Sequence, residues 1–378
     1  MVSVAALLPS RRRSRQTSSV AWRVALVVPA HNEAANIASC IQSLLASDRG
    51  GMDADVFVVA DNCTDDTARI AEASGARVLT RTSETERGKG RALHFAFTSL
   101  EPLGYDCVLV VDADTLVAHN FIASAAGAMR DGSAAVQTRY LVRNLEEGIR
   151  TRLLGLSLCA FNIVRLRGRE RLGFSVGLLG NGFGLRSATL RAVPYLASSV
   201  VEDLEYHLSL IQNGFRVRFV DETSVFGEMP VRGEGVKTQR SRWEGGRIRM
   251  IYEIGPKLLR GVLGGRLVFL EPLMELLLLP IAFHVLLLLV ACSTPLAPMR
   301  YVGFAGLAVL VIHLAAAVVL RGQGWRGALV LLVAPIYVLW KLLLIPSMLR
   351  NARADQAWVR TKRNAELQAT KPRPSSNG

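Results

Sequence analysis

The chain is poor in cysteine and histidine, and neither residue type is grouped as a metal or redox site. It has five cysteines and six histidines among 378 residues. None of the cysteines forms a Cys-x-x-Cys pair, so the spacing of a zinc finger or of a dithiol oxidoreductase is missing. We interpret the cysteines as reduced thiols of a cytosolic domain. Because the histidines are dispersed along the sequence, we predict no zinc site.

The N-terminus lacks the residue order of a secretory signal. Its apolar stretch, Val2 to Leu8, is short and precedes the basic stretch from Arg11 to Arg15, whereas a signal peptide has its charges first. We predict that residues 1–23 form a disordered basic arm that contacts anionic lipid. The net charge of +14 suits anionic lipids or nucleotide diphosphates. Nucleic acid is disfavoured, because the arginines are scattered and no recognition motif is present.

Long apolar runs are missing before about Gly264 and dominate after it. Three candidate membrane segments follow, each near the ~20 residues that span a bilayer: Leu267–Cys292, Tyr301–Leu320 and Ala328–Leu349. The third carries Lys341, and a charge in mid-membrane is costly. We therefore interpret the third segment as lying at the interface or as re-entering the membrane without crossing it.

The chain after the arm divides into three parts. Residues 24–255 are predicted as one soluble domain, and residues 256–350 as a membrane region of two to three hydrophobic helices with an interfacial helix. Residues 351–378 form a basic tail. Basic flanks of membrane segments favour the cytoplasmic side, so we place both the soluble domain and the tail in the cytoplasm, on the inner or plasma membrane. Both ends share that side only if the third segment does not cross.

Strands and helices alternate in the soluble domain. Short apolar runs predict strands at Val24–Val28, Asp55–Val59, Arg77–Leu79, Cys107–Val111, Ala135–Gln137 and Phe215–Val220. Apolar residues at helical spacing predict helices from Ile37 to Leu45, from Asp65 onwards, and at Arg91–Leu100, Phe121–Met129, Leu145–Arg167 and Leu204–Ile211. This alternation predicts an α/β fold with a mainly parallel sheet covered by helices on both faces.

Carboxylates directly follow two of the predicted strands. Asp61 ends the second strand, and Asp112 and Asp114 follow the fourth. In open α/β sheets, ligands bind at the carboxyl ends of strands. Two carboxylates one residue apart suit a hard divalent cation, Mg²⁺ or Mn²⁺, that also holds phosphate oxygens; the alternative is an acidic turn that solvates a strand end. For Asp61 the alternatives are a nucleoside contact and a helix N-cap.

Two further charged groups are candidates for chemistry. Lys89 stands between two glycines, and we interpret it as a diphosphate contact or as a solvated loop lysine. Glu202 and Asp203 open an amphipathic segment. One of them is a candidate general base, since a buried carboxylate has its pKa raised. The alternative is an ordinary helix N-terminus, where acids are favoured.

A basic and aromatic cluster comes just before the apolar region. Gln239, Arg240, Arg242 and Trp243 lie on a predicted amphipathic helix. Arginine clamps phosphate oxygens, and an exposed Trp stacks on a sugar ring. The alternative is an interfacial aromatic beside lipid-facing basic residues. The glycine-rich run from Gly180 to Gly184 lacks dinucleotide-binding spacing, so we interpret it as a tight turn or a close approach of backbone to a ligand.

Taken in order, these stretches resemble those of the membrane-bound family 2 glycosyltransferases, the group that includes cellulose, chitin and hyaluronan synthases. Any one stretch is short, whereas six in the family's order are specific. The resemblance covers roughly residues 24–249 and the membrane segments. The matching stretches are Val27–Glu33, Val59–Asp65, Gly88–Gly90, Asp112–Asp114, Glu202–Asp203 and Gln239–Trp243.

The resemblance implies a GT-A type fold, a nucleotide-diphospho-sugar donor, a divalent cation and inversion at the anomeric carbon. It assigns the nucleoside pocket to Pro29, His31, Glu33 and Asp61, the diphosphate and ribose contacts to Lys89 and Asp112, and the metal to Asp114 with Asp112. It assigns the base to Asp203, beside Glu202, and the clamp on diphosphate and acceptor to Gln239, Arg240, Arg242 and Trp243.

The sequence departs from the family pattern at two positions. Val201 precedes Glu202-Asp203 where the family usually has threonine, and Ala60 precedes Asp61 where it usually has a second acid. The chain also has fewer candidate spans than the large polymer synthases. We expect sugar transfer to a growing polysaccharide, with a possible export or partner subunit. The alternative is transfer of a single sugar to a lipid or lipid-linked acceptor.

Other function classes fit the sequence less well. A nucleotidyltransferase needs a glycine- and lysine-rich loop after the first strand, and the chain has Pro29–Glu33 there. A receptor that only senses nucleotide sugars predicts a broken base or metal site, whereas Asp112, Asp114 and Asp203 are all present. A transporter would need more spans.

Overall fold

An eight-stranded sheet forms the centre of the described part of the chain. The computed structural model describes residues 1–8, 22–199, 201–229, 245–246, 248–277, 281–321 and 329–333. The strands are β1 Arg23–Ala30, β2 Asp53–Asp61, β3 Arg77–Arg81, β4 Cys107–Val110, β5 Thr115–Val117, β6 Ala135–Val142, β7 Phe183–Arg186 and β8 Val217–Gly227. Their order across the sheet is β3-β2-β1-β4-β7-β6-β8-β5.

The sheet is parallel on one side and mixed on the other. β1 pairs in parallel with β2 and β4, and β2 pairs in parallel with β3. β7 is antiparallel to both of its neighbours, β4 and β6. β8 is parallel to β6 and antiparallel to β5. The predicted α/β fold with a mainly parallel sheet is confirmed, and β1, β2 and β4 end at the same edge.

Helices cover the sheet and continue beyond it. They are α1 Val2–Ala5, α2 Ile37–Leu45, α3 Thr67–Ala73, α4 Lys89–Leu100, α5 Phe121–Arg130, α6 Ile149–Cys159, α7 Leu166–Arg171, α8 Ser187–Ala192, α9 Glu202–Gln212, α10 Gly255–Leu263, α11 Leu270–Leu277, α12 Ile281–Ser293 and α13 Ala297–Arg321. Single 3₁₀ turns occur at Glu101–Leu103, Leu145–Glu147, Leu267–Phe269 and Val330–Val333.

The side chains of β1 alternate between two hydrophobic cores. Val24, Leu26 and Val28 belong to one core, which α2 and α5 cover. Ala25 and Val27 belong to the other, which α4 and α9 cover. All five are at most 1 % exposed. A strand that is apolar without interruption needs cover on both faces, which is why the apolar run predicted a central strand.

The glycine-rich run contains a strand that local pattern did not predict. Gly180 and Gly182 have positive φ angles of 74° and 67°, and β7 then inserts between β4 and β6. A Cβ atom on Gly184 would lie 2.6 Å from Leu109 Cδ2 and 2.8 Å from Met129 Cε, so a side chain is sterically excluded there. The prediction of a tight turn therefore held only for the start of the run.

The predicted long helix from Leu145 to Arg167 is interrupted. α6 passes into a π-helical segment, Ala160–Arg165, and then into α7. Within this segment, the Arg165 guanidinium stacks at 3.7 Å on the Phe161 ring, and Asn162 Nδ2 donates to Tyr140 O at 3.3 Å. Such wide turns often occur at functional positions.

The apolar region differs from the three predicted segments. α13 is the helix in the described residues that is long and apolar enough to span a bilayer: Ala297–Leu320 has 24 residues, and its most apolar 18-residue stretch has a mean hydropathy of 2.5. The first predicted segment contains α11, which is described to Leu277, and α12, which is described from Ile281; residues 278–280 lie outside the described residues. Most of the third segment lies outside the described residues.

The first residues form α1, and Ala5 and Ala6 are buried, whereas Leu7 and Leu8 are exposed. This corrects the prediction of a fully disordered arm. Ala6 is fully buried in a cluster with Leu156 of α6 and Ala316 of α13. Ser3 Oγ lies 2.9 Å from His313 Nδ1. The apolar residues of the arm thus bury surface against the helices, and residues 9–21 of the arm lie outside the described residues.

Candidate active site

The ends of β1 and β2 bring the predicted nucleoside residues together. His31 Nδ1 lies 2.7 Å from the backbone oxygen of Asp61; because a carbonyl oxygen only accepts, Nδ1 carries the proton. The backbone N–H of Glu33 donates to Thr67 Oγ1 at 2.8 Å. Pro29 is still part of β1 and pairs in register with Val59. The four predicted residues therefore border one edge of the sheet.

Asp61 is buried and paired with a cation that the sequence did not single out. Arg81 Nη1 donates to Asp61 Oδ1 at 2.7 Å, and the two side chains are only 9 % and 5 % exposed. Asn62 Nδ2 donates to the same oxygen at 3.1 Å. Asp61 and Arg81 stand opposite each other in the parallel register of β2 and β3. A basic residue at the end of a third predicted strand was the available signal.

Asp112 and Asp114 flank a buried residue just after β4. Ala113 is 4 % exposed, whereas Asp112 and Asp114 are partly exposed. Asp114 Oδ1 accepts from Thr115 Oγ1 at 3.2 Å. The described residues contain no group of three or more His, Cys, Asp or Glu side chains arranged to hold a metal. Two carboxylates fit Mg²⁺ or Mn²⁺ if water and phosphate oxygens fill the other coordination positions of the ion.

Lys89 links the strand-end carboxylates to the glycine-rich turn. Its Nζ donates to Asp112 Oδ1 and to the backbone oxygen of Gly180. Burial lowers the pKa of Lys89, but the carboxylates of Asp112, Glu202 and Asp203 outweigh burial, and the pKa is raised overall. The residue is therefore a partly buried ammonium among three acids, at the start of α4.

The turn at Gly180-Asn181-Gly182 is held by a network that sequence reasoning missed. Asn181 is 1 % exposed; its Oδ1 accepts from the backbone N–H of Asp112 at 3.1 Å, and its Nδ2 donates to Thr115 Oγ1 at 2.9 Å. Gln137, fully buried, donates to the Asn181 backbone oxygen at 2.8 Å. Asn181 thus fixes the backbone that carries Asp112 and the threonine bound to Asp114.

Glu202 and Asp203 lie in the first turn of α9, beside this turn. A Cβ atom on Gly180 would lie 3.3 Å from Asp203 Oδ2, so the glycine lets backbone approach the carboxylate. Asp203 Oδ1 accepts from the Leu204 N–H at 2.8 Å. Burial raises the pKa of Glu202 to about 7, with the Asp203 charge adding to the effect and Lys89 opposing it.

The pKa of Asp203 is also raised, because burial outweighs the Leu204 hydrogen bond and the Lys89 charge. Asp203 is partly exposed, whereas Glu202 is buried. Of the two, Asp203 is therefore the carboxylate that a solvent-borne hydroxyl group reaches. An acid whose pKa is raised in this way is suited to general-base work.

The fourth predicted group cannot be placed at this site. Gln239, Arg240, Arg242 and Trp243 lie outside the described residues. Their assignment to a clamp on diphosphate and acceptor stays a prediction.

Comparisons with known proteins show the family of the chain. A family model described as "Glycosyltransferase like family 2" matches residues 22–246, which is more than half of the chain. Probable glycosyltransferase YdaM of Bacillus subtilis is 24% identical over 235 residues, covering 59% of this chain and 55% of that protein. Beta-monoglucosyldiacylglycerol synthase of Nostoc is 25% identical over 252 residues, covering 64% and 53%. The chain spans about half the length of these relatives.

Solved structures of low sequence identity also match parts of the chain. The mannosyltransferase PcManGT from Pyrobaculum calidifontis, in complex with GDP-Man and Mn²⁺, is 17% identical with a TM-score of 0.45, and the match covers 82% of this chain and 90% of that one. Glucosyl-3-phosphoglycerate synthase from Mycobacterium tuberculosis, in complex with Mn²⁺, UDP and phosphoglyceric acid, is 23% identical with a TM-score of 0.43, covering 61% and 78%. Together with the family match, the sheet confirms the predicted GT-A type fold.

Proposed function

The chain belongs to glycosyltransferase family 2, and on that premise we propose that it transfers a sugar, with inversion, from a nucleotide-diphospho-sugar to a hydroxyl group of a membrane-bound lipid or lipid-linked acceptor. One observation carries the proposal. Lys89 binds both Asp112 and the backbone oxygen of Gly180, and a Cβ atom on Gly180 would lie only 3.3 Å from Asp203 Oδ2. The group that faces the leaving diphosphate and the group that faces the acceptor therefore adjoin.

Inversion in one step needs a base and a stabilised leaving group. Asp203 takes the proton of the acceptor hydroxyl group. The oxygen of that hydroxyl group attacks C1 of the sugar, and the bond from C1 to the diphosphate oxygen breaks. Burial and the charge of Asp112 keep the pKa of Asp203 raised, and burial and the charge of Asp203 raise the pKa of Glu202 beside it. No covalent sugar–enzyme intermediate is involved.

The donor occupies the edge formed by β1, β2 and β4. Pro29, His31, Glu33 and Asp61 border the nucleoside. Asp112 and Asp114 hold a divalent cation, which when bound neutralises charge on the departing diphosphate. Lys89 exchanges its Asp112 contact for a phosphate oxygen when the donor binds.

The position of α9 favours an acceptor at the membrane surface. Leu208 and Ile211 of α9 pack in one cluster with residues of α10 and α11. The outward side chains there include Leu263, Leu267 and Met274, which are 77%, 70% and 61% exposed. Exposed apolar residues beside the basic residues of α10 fit an interfacial helix. The base thus lies on a helix whose other side rests on membrane-facing elements, and one matched relative is a diacylglycerol glycosyltransferase by name.

We place the protein in the inner or plasma membrane, with its catalytic domain in the cytoplasm. α13 supports the anchor, because only 17% of its most apolar window is buried. Extension of a polysaccharide, with a partner export subunit, is the second candidate. The run Gln239–Trp243 favours it, since this run resembles the polymer synthases.

The test is a donor and acceptor screen on the full chain in lipid nanodiscs. The protein is incubated with Mg²⁺ or Mn²⁺, a panel of UDP- and GDP-sugars, and diacylglycerol or polyprenyl phosphate. Release of nucleoside diphosphate and the mass of the lipid product are measured. Asp203→Asn and Asp114→Ala are compared with Asp53→Asn, a matched control whose exposed carboxylate lies at the opposite end of β2.

Metal-dependent transfer of one sugar, lost in the two site variants and kept in the control, supports the proposal. A ladder of longer products moves the assignment to polysaccharide synthesis. Transfer that survives chelation or the Asp203→Asn substitution contradicts the proposed mechanism.

A further inference from the structure

A buried cluster of opposite charges lies outside the donor and base residues. Glu275, on α11, accepts from Arg165 Nη1 at 2.6 Å and from Arg169 Nη1 at 2.5 Å. The three side chains are 9%, 11% and 4% exposed. Arg169 also pairs with Glu271, one turn earlier on α11. The proposed transfer step does not use this cluster, although its burial makes it costly to form.

His207 brings the cluster into contact with the helix of the base. It lies one turn after Asp203 on α9, is 1 % exposed, and its Nε2 lies 2.9 Å from Ser175 Oγ. The ring and the Glu275 carboxylate meet at Gly177: a Cβ atom there would lie 3.8 Å from His207 Cε1 and 3.6 Å from Glu275 Oε1. Burial lowers the pKa of His207 to about 4 against the pull of Glu275, so the ring is neutral at physiological pH.

A short stretch of backbone connects this contact with the site. Gly177 and Gly180 have positive φ angles of 89° and 74°, and only two residues separate them. Gly177 faces His207 and Glu275, whereas Gly180 faces Asp203. Residues 177–180 therefore touch the ion cluster at one end and the candidate base at the other.

The same cluster reaches the apolar helices. Arg165 ends the π-helical segment, whose residues Ile163 and Val164 pack in one cluster with Ala316 and Ala317 of α13. Glu275 lies on α11, which shares a buried cluster with α9. The carboxylate of Glu275 is thus the point at which α7, α9 and α11 meet the π-helical segment that packs against α13.

We propose that Glu275, held by Arg165 and Arg169, is a positioning residue that sets the place of α9, and with it Asp203, relative to the membrane-facing helices. It acts through His207 and Gly177 and contacts no substrate. Removing one partner of a buried ion pair leaves an uncompensated charge, and the surroundings shift to solvate it. The proposal rests on the proposed function in one respect, which is that Asp203 is the base.

The test compares Glu275→Gln with wild type in the full chain in lipid nanodiscs. Because a small displacement of a catalytic group is costly, kcat should fall on the order of tenfold to a hundredfold. The donor edge of the sheet is unaffected, so the donor KM should stay within about twofold. Glu253→Gln is the matched control: its partner, Arg249, lies 2.7 Å away, but the two side chains are 52% and 49% exposed, and such pairs contribute little.

A double variant separates positioning from folding. Arg165→Met with Glu275→Gln removes one charge of each sign and leaves Arg169 paired with Glu271. Thermal stability should return toward that of wild type while kcat stays low. Recovery of kcat together with stability would mean that the cluster only balances charge, and wild-type kcat in Glu275→Gln would overturn the proposal outright.

Amide hydrogen exchange tests the proposal without relying on turnover. Exchange in residues 202–212 should be faster in Glu275→Gln, whereas exchange in residues 67–73 should be unchanged. If wild type turns over no donor, the proposed function fails, and faster exchange confined to α9 still supports positioning. Unchanged exchange in α9 contradicts it, whatever the activity.

Discussion

The carboxylates at the strand ends and those at the start of α9 have different charge partners. At the strand ends, Asp61 is met by the buried guanidinium of Arg81, so its charge is matched. At α9, Glu202 and Asp203 share the ammonium of Lys89 with Asp112, so among the described residues three acids meet at this one cation. A carboxylate that is paired with its own cation stays ionised and can accept a hydrogen bond from a ligand. A buried carboxylate that shares a cation with other acids has its pKa raised, so it takes up a proton more readily.

The first way to break this comparison is to remove the proposed base. Asp203→Asn should lower kcat by about 10²–10⁴-fold, because a positioned general base contributes that much. Donor affinity should be nearly unchanged, since the strand ends are intact. Steady-state kinetics give kcat, and calorimetric titration with nucleoside diphosphate gives affinity. A loss of affinity equal to the loss of kcat would place Asp203 on the donor side of the comparison.

The second variant unpairs the strand-end carboxylate. Arg81→Met leaves Asp61 buried with an uncompensated charge, which should cost roughly 3–5 kcal/mol of unfolding free energy and weaken nucleotide binding. Arg77→Met is the matched control on the same strand, because its pair with Asp55 is longer, at 3.8 Å, and its own side chain is 62% exposed. Chemical denaturation measures both variants, and equal losses would show that burial of the Asp61 pair is unimportant.

The third variant removes the shared cation. Lys89 lowers the pKa values of Glu202 and Asp203, so Lys89→Met should raise them further. The acidic limb of the kcat profile then moves to higher pH, and one unit of movement lowers kcat at a fixed pH on that limb about tenfold. Lys89→Arg, which keeps the charge, should move the limb less. A limb that stays in place in Lys89→Met would contradict the sharing of one cation.

The smallest expected effect is on the pH dependence of stability. The pKa of Glu202 is raised from 4.5 to about 7 in the folded protein. Between those pH values the folded state binds more protons than the unfolded state, so stability falls as pH rises. Glu202→Gln should make this decline shallower, so that the melting temperature falls by a few degrees less across this pH range than in wild type. Calorimetry across the window is the measurement, and an unchanged slope would assign the decline to other groups.

Local sequence was sufficient for the parts of the fold that depend on periodicity. Apolar runs predicted β1, β2 and β4, and the acids Asp61, Asp112 and Asp114 follow from where those runs stop. The parallel arrangement of these strands then brings the acids to one edge. The order of the motifs also pointed to glycosyltransferase family 2, which the match over residues 22–246 shows; membership of its membrane-bound synthase group stays a prediction.

The partners of those acids were not predictable in the same way. Arg81 meets Asp61 only through the register of β2 and β3. Asn181 reaches Asp112 across 69 positions of sequence, because β7 inserts between β4 and β6. β7 itself has only four residues and two glycines before it with positive φ, so it has too little pattern to be recognised as a strand.

By itself, the sequence determined the alternation of strands and helices, the edge where the acids lie and the apolar character of the C-terminal part. Only the tertiary structure decided which charges are matched, which are shared, and that Glu275 meets Arg165 across 110 positions of sequence. The physical reason is that the burial pattern of a strand or helix repeats over a few residues, so a short stretch of sequence is enough to predict it. A pKa or an ion pair depends on where distant segments return, and that is set by the packing of the whole sheet and its helices.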